Sequence, residues 1–135
     1  MRGLNWPSFN RRESVANEPT KSEKGLALAR RLFEGVTGGG SSRPPNQFSE
    51  YTVEHLFGTV WQDDTLALEE RSLLTCTVLV ALNREAEQRL HFVGAKNLGV
   101  SRAKVEAMIT HTAHYAGWPC AASAFRVLGE VWPED

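Results

Sequence analysis

Residues 68–99 read LEERSLLTCTVLVALNREAEQRLHFVGAKNLG, and their pattern decides the fold class. Leu68–Leu82 is apolar on most of its circumference, as a helix with neighbours on several sides must be. Glu69 and Glu70 lie in its first turn, where carboxylates complement the helix dipole, with Arg71 beside them. Asn83 reads as a break. Glu85–Leu98 makes the next helix, and Gly99 stands where a helix end calls for a left-handed residue.

Downstream, Ser101 is placed to cap a helix running through Tyr115, which Gly117 ends. Pro119 suits the first turn of a last helix, through Val131. Upstream, Phe48–Trp61 carries Val53, Leu56, Phe57 and Val60 at helical spacing, and residues 22–36 carry Leu26, Ala29, Leu32 and Phe33. Between them residues 37–47, TGGGSSRPPNQ, break regular structure of either kind. Gly35 and Gly40 have the separation of a phosphate loop. Ser41-Ser42 stand where Lys-Ser/Thr would be needed, and a helix precedes instead of a strand, so the segment reads as a linker or flap. No strand-like alternation occurs. The expectation is an all-α bundle of about six helices, organised as a polar N-terminal arm (1–21), a helix with a Gly/Pro-rich loop (22–47) and a helical domain (48–132).

With 135 residues the chain has room for one domain of ordinary size. Fifteen Lys and Arg balance sixteen Asp and Glu, with no basic stripe, which argues against nucleic acid or an anionic membrane as partner. No apolar run is long enough to span a bilayer. Arg11-Arg12 is followed by polar ESVANEPT, not by the apolar core of a signal peptide. Cys76 and Cys120 form no CxxC, and no His/Cys group has zinc spacing. A cytoplasmic protein in a reducing compartment is expected, with no metal.

Placing side chains around each helix at roughly 100° per residue isolates the candidate chemistry. On the Glu85–Leu98 helix the apolar face is read through Ala86, Leu90, Val93, Gly94 and Leu98. Glu87 and His91, four apart, share its flank, and Gly94 leaves a gap one turn on. A carboxylate beside an imidazole can hold one tautomer and raise its pKa, which suits a general acid or base. The same pair on an exposed helix is also a common structural feature. On the following helix Val105, Met108, Ile109, Thr112 and Ala116 define the apolar face. His111 falls at its boundary beside Tyr115, half-sheltered, and His114 points to solvent in a single chain. Glu87, His91, His111 and His114 match no Glu-x-x-His metal pair.

Residues 57–124, FGTVWQDDTLALEERSLLTCTVLVALNREAEQRLHFVGAKNLGVSRAKVEAMITHTAHYAGWPCAASA, resemble the carboxymuconolactone decarboxylase family, which also holds the alkylhydroperoxidase D-type proteins. The resemblance is carried by Trp61…Leu68…Arg71, by Glu87…His91, by Asn97-x-Gly99-Val100, and by His111…Tyr115-Ala-Gly-Trp-Pro. It implies an alkylhydroperoxidase D-like bundle that assembles as a homotrimer or homohexamer, with small pockets near subunit contacts. The peroxidase branch has a CxxC where this chain has Arg84 and Glu87, so a dithiol cycle is not expected. The decarboxylase-like branch needs no cofactor.

On that resemblance His91 is the expected acid/base, Glu87 its orienting partner and His111 a contact to a substrate carbonyl or carboxylate. Arg71, Tyr115 and Trp118 are the expected substrate-binding residues, Arg71 by bidentate hold on a carboxylate. The implied function is a cofactor-free carboxy-lyase, or a related lyase or isomerase, acting on a small unsaturated lactone or carboxylic acid. Two other readings stand beside it. One is a thiol peroxidase using Cys120, whose place near a helix N-terminus favours a thiolate. The other is a non-catalytic oligomeric protein.

Overall fold

The structure, a computed structural model, describes residues 18–36 and 46–135. Six α-helices and two short turns of other helix types make up its regular structure, with no strand among the described residues. The all-α expectation holds. Most of the arm (residues 1–17) and the body of the Gly/Pro-rich loop (37–45) lie outside the described residues.

Helix α1 (Lys21–Leu32) begins on a reciprocal cap. Thr20 Oγ1 accepts from the Glu23 amide at 3.2 Å, and Glu23 Oε2 accepts from the Thr20 amide at 2.7 Å. Helix α2 (Gln47–Tyr51) leads into a π-helical turn over Thr52–Phe57, then a 3-10 turn over Val60–Gln62. The sequence predicts one continuous helix there. The regular ladder gives way where α1 lies across it, at two glycines. A Cβ on Gly25 would stand 1.9 Å from the Val53 carbonyl oxygen, and one on Gly58 would stand 2.3 Å from that of Lys21. The two backbones meet with no side chain between them.

The remaining helices are α3 (Leu68–Ala81), α4 (Glu85–Asn97), α5 (Arg102–Ala116) and α6 (Trp118–Val131), close to the predicted boundaries. The breaks fall where the sequence puts them. Asn83 is left-handed at φ 53°, Gly99 sits at φ 88°, and Gly117 sits at φ 107°, ψ 152°, a region only glycine occupies readily. Ser101 caps α5 by accepting from the Lys104 amide at 3.2 Å. These four helices form a ring in which α3 packs on α4, α4 on α6, α6 on α5 and α5 on α3. α3 also touches α6 across the diagonal, so α4 and α5 occupy opposite corners.

Phe92, Ile109, Leu128, Val80 and Val105 are fully buried inside the ring. Each such side chain stabilises the fold by about 1.5–3 kcal/mol through burial. A second cluster of Leu28, Leu32, Phe57, Trp61 and Leu98 fastens α1 and the π-helical turn to the end of α4. The α4 face differs from the one read in the sequence. Gln88, Phe92, Gly94 and Ala95 are buried and Ala86 is exposed, because α1 and α3 cover that flank. On α3 one stripe stays open, with Leu74, Val78 and Leu82 exposed at 53%, 54% and 63%.

The glycine crossing gives a direct test. Gly25→Ala should cost about 1–3 kcal/mol in denaturant unfolding, the usual penalty for a side chain forced into filled space. Gly129→Ala, in α6 with nothing within 4 Å of the added atom, should be neutral or stabilise by up to about 1 kcal/mol. Equal effects at the two sites would contradict the crossing.

Candidate active site

His91 lies on α4 one turn after Glu87, between the α3 and α1 sides of the helix. Its carbonyl oxygen accepts from the Cys76 thiol on α3, with Sγ at 3.5 Å. Its ring meets Phe33, just past the end of α1, at 5.5 Å between centroids and 82° between planes. Nδ1 is buried and has no hydrogen-bond partner. Burial lowers the pKa of this imidazole below the ordinary 6.5, and the opposing pull of the Glu87 carboxylate is the smaller effect. The sequence expectation of a raised pKa is therefore corrected. Glu87 is exposed and acts through solvent-screened space, whereas desolvation acts on the ring itself. His91 is neutral at pH 7.

Among the described residues three other buried polar atoms share this condition: Arg71 Nε, Ser72 Oγ and Gln88 Oε1 have no partner. All belong to α3 or α4. Gln88 Nε2 donates to the Leu79 carbonyl at 3.1 Å. Such groups are rare in native folds and mark places where a ligand or solvent belongs. Ser72 and Gln88 are both completely buried, and neither was a candidate from sequence. The available signal was a polar residue within the stripe that also carries Phe92 and Ala95. Cys76 is pushed up to about 12 by burial, which leaves it an inert thiol.

Arg71 donates through Nη2 to the Asp63 carbonyl at 2.8 Å and faces Asp63 Oδ1 at 3.4 Å. That contact ties the loop before α3 to its first turn and leaves Nε for another acceptor. His111 is more open than the half-sheltered position read in the sequence. Its ring lies 4.9 Å from that of Tyr115, and both are exposed. His114 Nδ1 is 2.8 Å from the Thr110 carbonyl, and its ring meets exposed Trp118 edge-on at 5.4 Å. Cys120 is buried and donates to the Gly117 carbonyl at 3.0 Å.

One chain thus brings Glu87 and His91 together. It puts His111 and Tyr115 at another corner of the ring, because α4 and α5 stand opposite each other, with Trp118 at the start of α6 beside the end of α5. A hollow of about 470 Å³ opens on the α4–α6 side, lined by Val36, Ala86, Arg89, Leu90, Val93 and Glu130 among others, without His91. Among the described residues no three His, Cys, Asp or Glu side chains gather as a metal site would need.

The model of the carboxymuconolactone decarboxylase family matches residues 46–130, well over half of the chain. The chain belongs to that family. It is 34% identical over 87 residues to the 4-carboxymuconolactone decarboxylase of Acinetobacter baylyi, a match covering 64% of this chain and 65% of that protein. It is 36% identical over 78 residues to the nitrosuccinic acid decarboxylase npaB of Metarhizium robertsii, covering 58% of this chain and 54% of that one. The match spans less than two-thirds of the length of either relative. Glu87, His91, Arg71 and His111 all fall inside the segment that marks this carboxymuconolactone decarboxylase family member, and Phe33 falls outside it.

The lowered pKa of His91 has a consequence for stability. The unfolded chain takes up this proton more readily than the folded one, so folding loses free energy as the pH drops below 6.5 toward the lowered value and keeps it above 6.5. Urea unfolding from about pH 7.5 down to about pH 5 should show a steeper loss for the parent than for His91→Gln. Parallel curves would contradict the burial of the ring.

Proposed function

We propose that this chain is a cofactor-free carboxy-lyase acting on a small carboxylic acid or carboxylated unsaturated lactone, with His91 as its acid–base group. One observation carries the reading. Within the family-matched segment His91 is shielded, neutral and unpartnered at Nδ1, with Glu87 one turn away. The names of the two relatives support it, since each is a decarboxylase whose substrate holds an electron sink, a lactone in one and a nitro group in the other.

The chemistry follows from electron counting. When the carbon–carboxylate bond breaks, its electron pair moves into the sink as an enolate or nitronate, and CO2 leaves. The carbon then needs a proton. Beside a bound carboxylate the neutral imidazole gains proton affinity, because an adjacent anion favours the charged form. The imidazolium so formed gives its proton to carbon and returns to the neutral state, and the next proton comes from solvent. Glu87 supports the charged form during that cycle. Arg71 Nε and the Ser72 hydroxyl are donors suited to the substrate carboxylate or the developing oxyanion. No thiol step is needed.

His91→Gln should lower kcat for CO2 release by about 10²–10⁴-fold, the usual worth of a positioned acid–base group. For the parent, kcat/KM should rise as the pH is lowered toward the His91 pKa, since the proton must be taken up. Cys120→Ala should leave turnover unchanged. The assay is CO2 release from unsaturated lactone acids and nitro acids, preselected by thermal shift. Full activity of His91→Gln on a substrate the parent turns over would refute the assignment.

Assembly belongs to the same reading. The open α3 stripe of Leu74, Val78 and Leu82, with exposed Tyr115 and Trp118, is apolar surface of the kind that meets another copy. His111 and Tyr115 would then contribute to a neighbour's surface and not to the α4 site of their own chain. Light scattering on Val78→Glu/Leu82→Glu should show a smaller particle than the parent. An unchanged mass would reject that stripe as the contact. Two free thiols and the absence, among the described residues, of a helix long and apolar enough to cross a membrane fit the cytosolic setting we propose.

A further inference from the structure

Helix α1 ends outside the family-matched segment, yet it touches the residue on which the proposed chemistry depends. Leu32 is fully buried against Gly94, where an added Cβ would stand 2.8 Å from Leu32 Cδ1. Asn97 Nδ2 donates to the Leu32 carbonyl at 3.0 Å and to the Glu34 carbonyl at 2.9 Å. These two bonds straddle Phe33 and fix the backbone on either side of it. Phe33 in turn meets Phe57 at 6.0 Å and 79°, which blocks the ring from turning away from α4. Phe33 also meets the ring of His91, at 5.5 Å and 82°.

We propose that Phe33 is a positioning residue, which holds the His91 ring in its working orientation and keeps water off one side of it, and that Asn97 is the tether holding Phe33 there. The proposal rests on the acid–base reading of His91 and adds to it a segment that the family match leaves out. The side chain has the right character for the task. An aromatic edge or face packs on an imidazole favourably at this distance and inclination, and it offers Nδ1 no hydrogen bond. A polar neighbour would pair with that nitrogen and release the ring from its dry setting.

Among the described residues, few charged or titratable groups lie near His91. Glu87 stands on its own helix, and Cys76 on α3 contacts its backbone. Glu34, at the end of α1, is held through its carbonyl by Asn97. Among the described residues only Glu87 acts on the ring by charge, and it raises the proton affinity that burial lowers. Removing the apolar cover therefore moves the ring in one direction only, toward easier protonation.

The test is the NMR titration of the His91 ring in the full-length protein without substrate, with the resonance assigned by its loss in His91→Gln. Phe33→Ala should move the midpoint up toward the ordinary 6.5, and the limb on which kcat/KM falls as the pH rises should move up with it. Asn97→Ala should shift it in the same direction, less far. Phe33→Leu keeps apolar bulk without the ring and serves if the alanine variant does not fold; its midpoint should lie between those of parent and Phe33→Ala, or above the parent where only Leu is available. A midpoint identical to the parent in folded Phe33 variants overturns the proposal. Failure of the acid–base reading appears elsewhere, as full turnover by His91→Gln, so the two are told apart.

Discussion

Leu32 reaches the backbone of α4 because residue 94 is glycine, and the character of the candidate site follows from that contact. A methyl group at 94 would press on Leu32 Cδ1, and a larger side chain would push the end of α1 away. Asn97 would then be too far to take the carbonyls of Leu32 and Glu34, and Phe33 would leave His91. The imidazole would become an ordinary surface histidine beside an ordinary glutamate. Docking α1 instead replaces water with an aromatic ring on one side of His91, while the Cys76 thiol takes its carbonyl on another. Burial then outweighs Glu87, because the carboxylate acts through exposed, high-dielectric space and desolvation does not.

Much of the architecture was legible in the sequence, for reasons visible in particular residues. Asn83, Gly99, Gly117 and Ser101 each occupy the backbone role that their chemistry favours, so the ends of α3 to α6 could be read locally. Cys120 near a Pro-initiated helix start was also legible, and it turned out to be a buried thiol bound to Gly117. The Glu87–His91 pair was legible as a spacing. Its electrostatic sign was not, because the sign depends on how far the ring is buried, and its cover includes Phe33, far away in sequence.

The misreadings share that origin. The Phe48–Trp61 segment has helical periodicity throughout, yet close passage of α1 at Gly25 and Gly58 widens it into a π-helical turn. On α4 the periodicity through Ala86, Leu90 and Val93 is real. The flank that carries Gln88 and Phe92 is the one that other helices cover, and a fully buried glutamine is not foreseeable from hydropathy. His111 sits at the edge of its helical stripe as read, but none of the described helices covers it and it is exposed. Periodicity gives the faces of a helix; only the assembled bundle decides which are covered.

The positions of the unpartnered polar atoms carry this one step further. Leaving a buried donor or acceptor unsatisfied costs about 1–3 kcal/mol, against a total stability of about 5–15 kcal/mol for a domain. Arg71 Nε, Ser72 Oγ, Gln88 Oε1 and His91 Nδ1 all lie on α3 and α4. Apolar residues at Ser72 and Gln88 would pack in the same helix faces without that cost. A bundle selected for stability alone would have them. What these positions carry instead is a set of donors and acceptors on the two helices that also hold the half-buried imidazole, and in the reading proposed above a polar, anionic substrate would suit them better than a hydrocarbon.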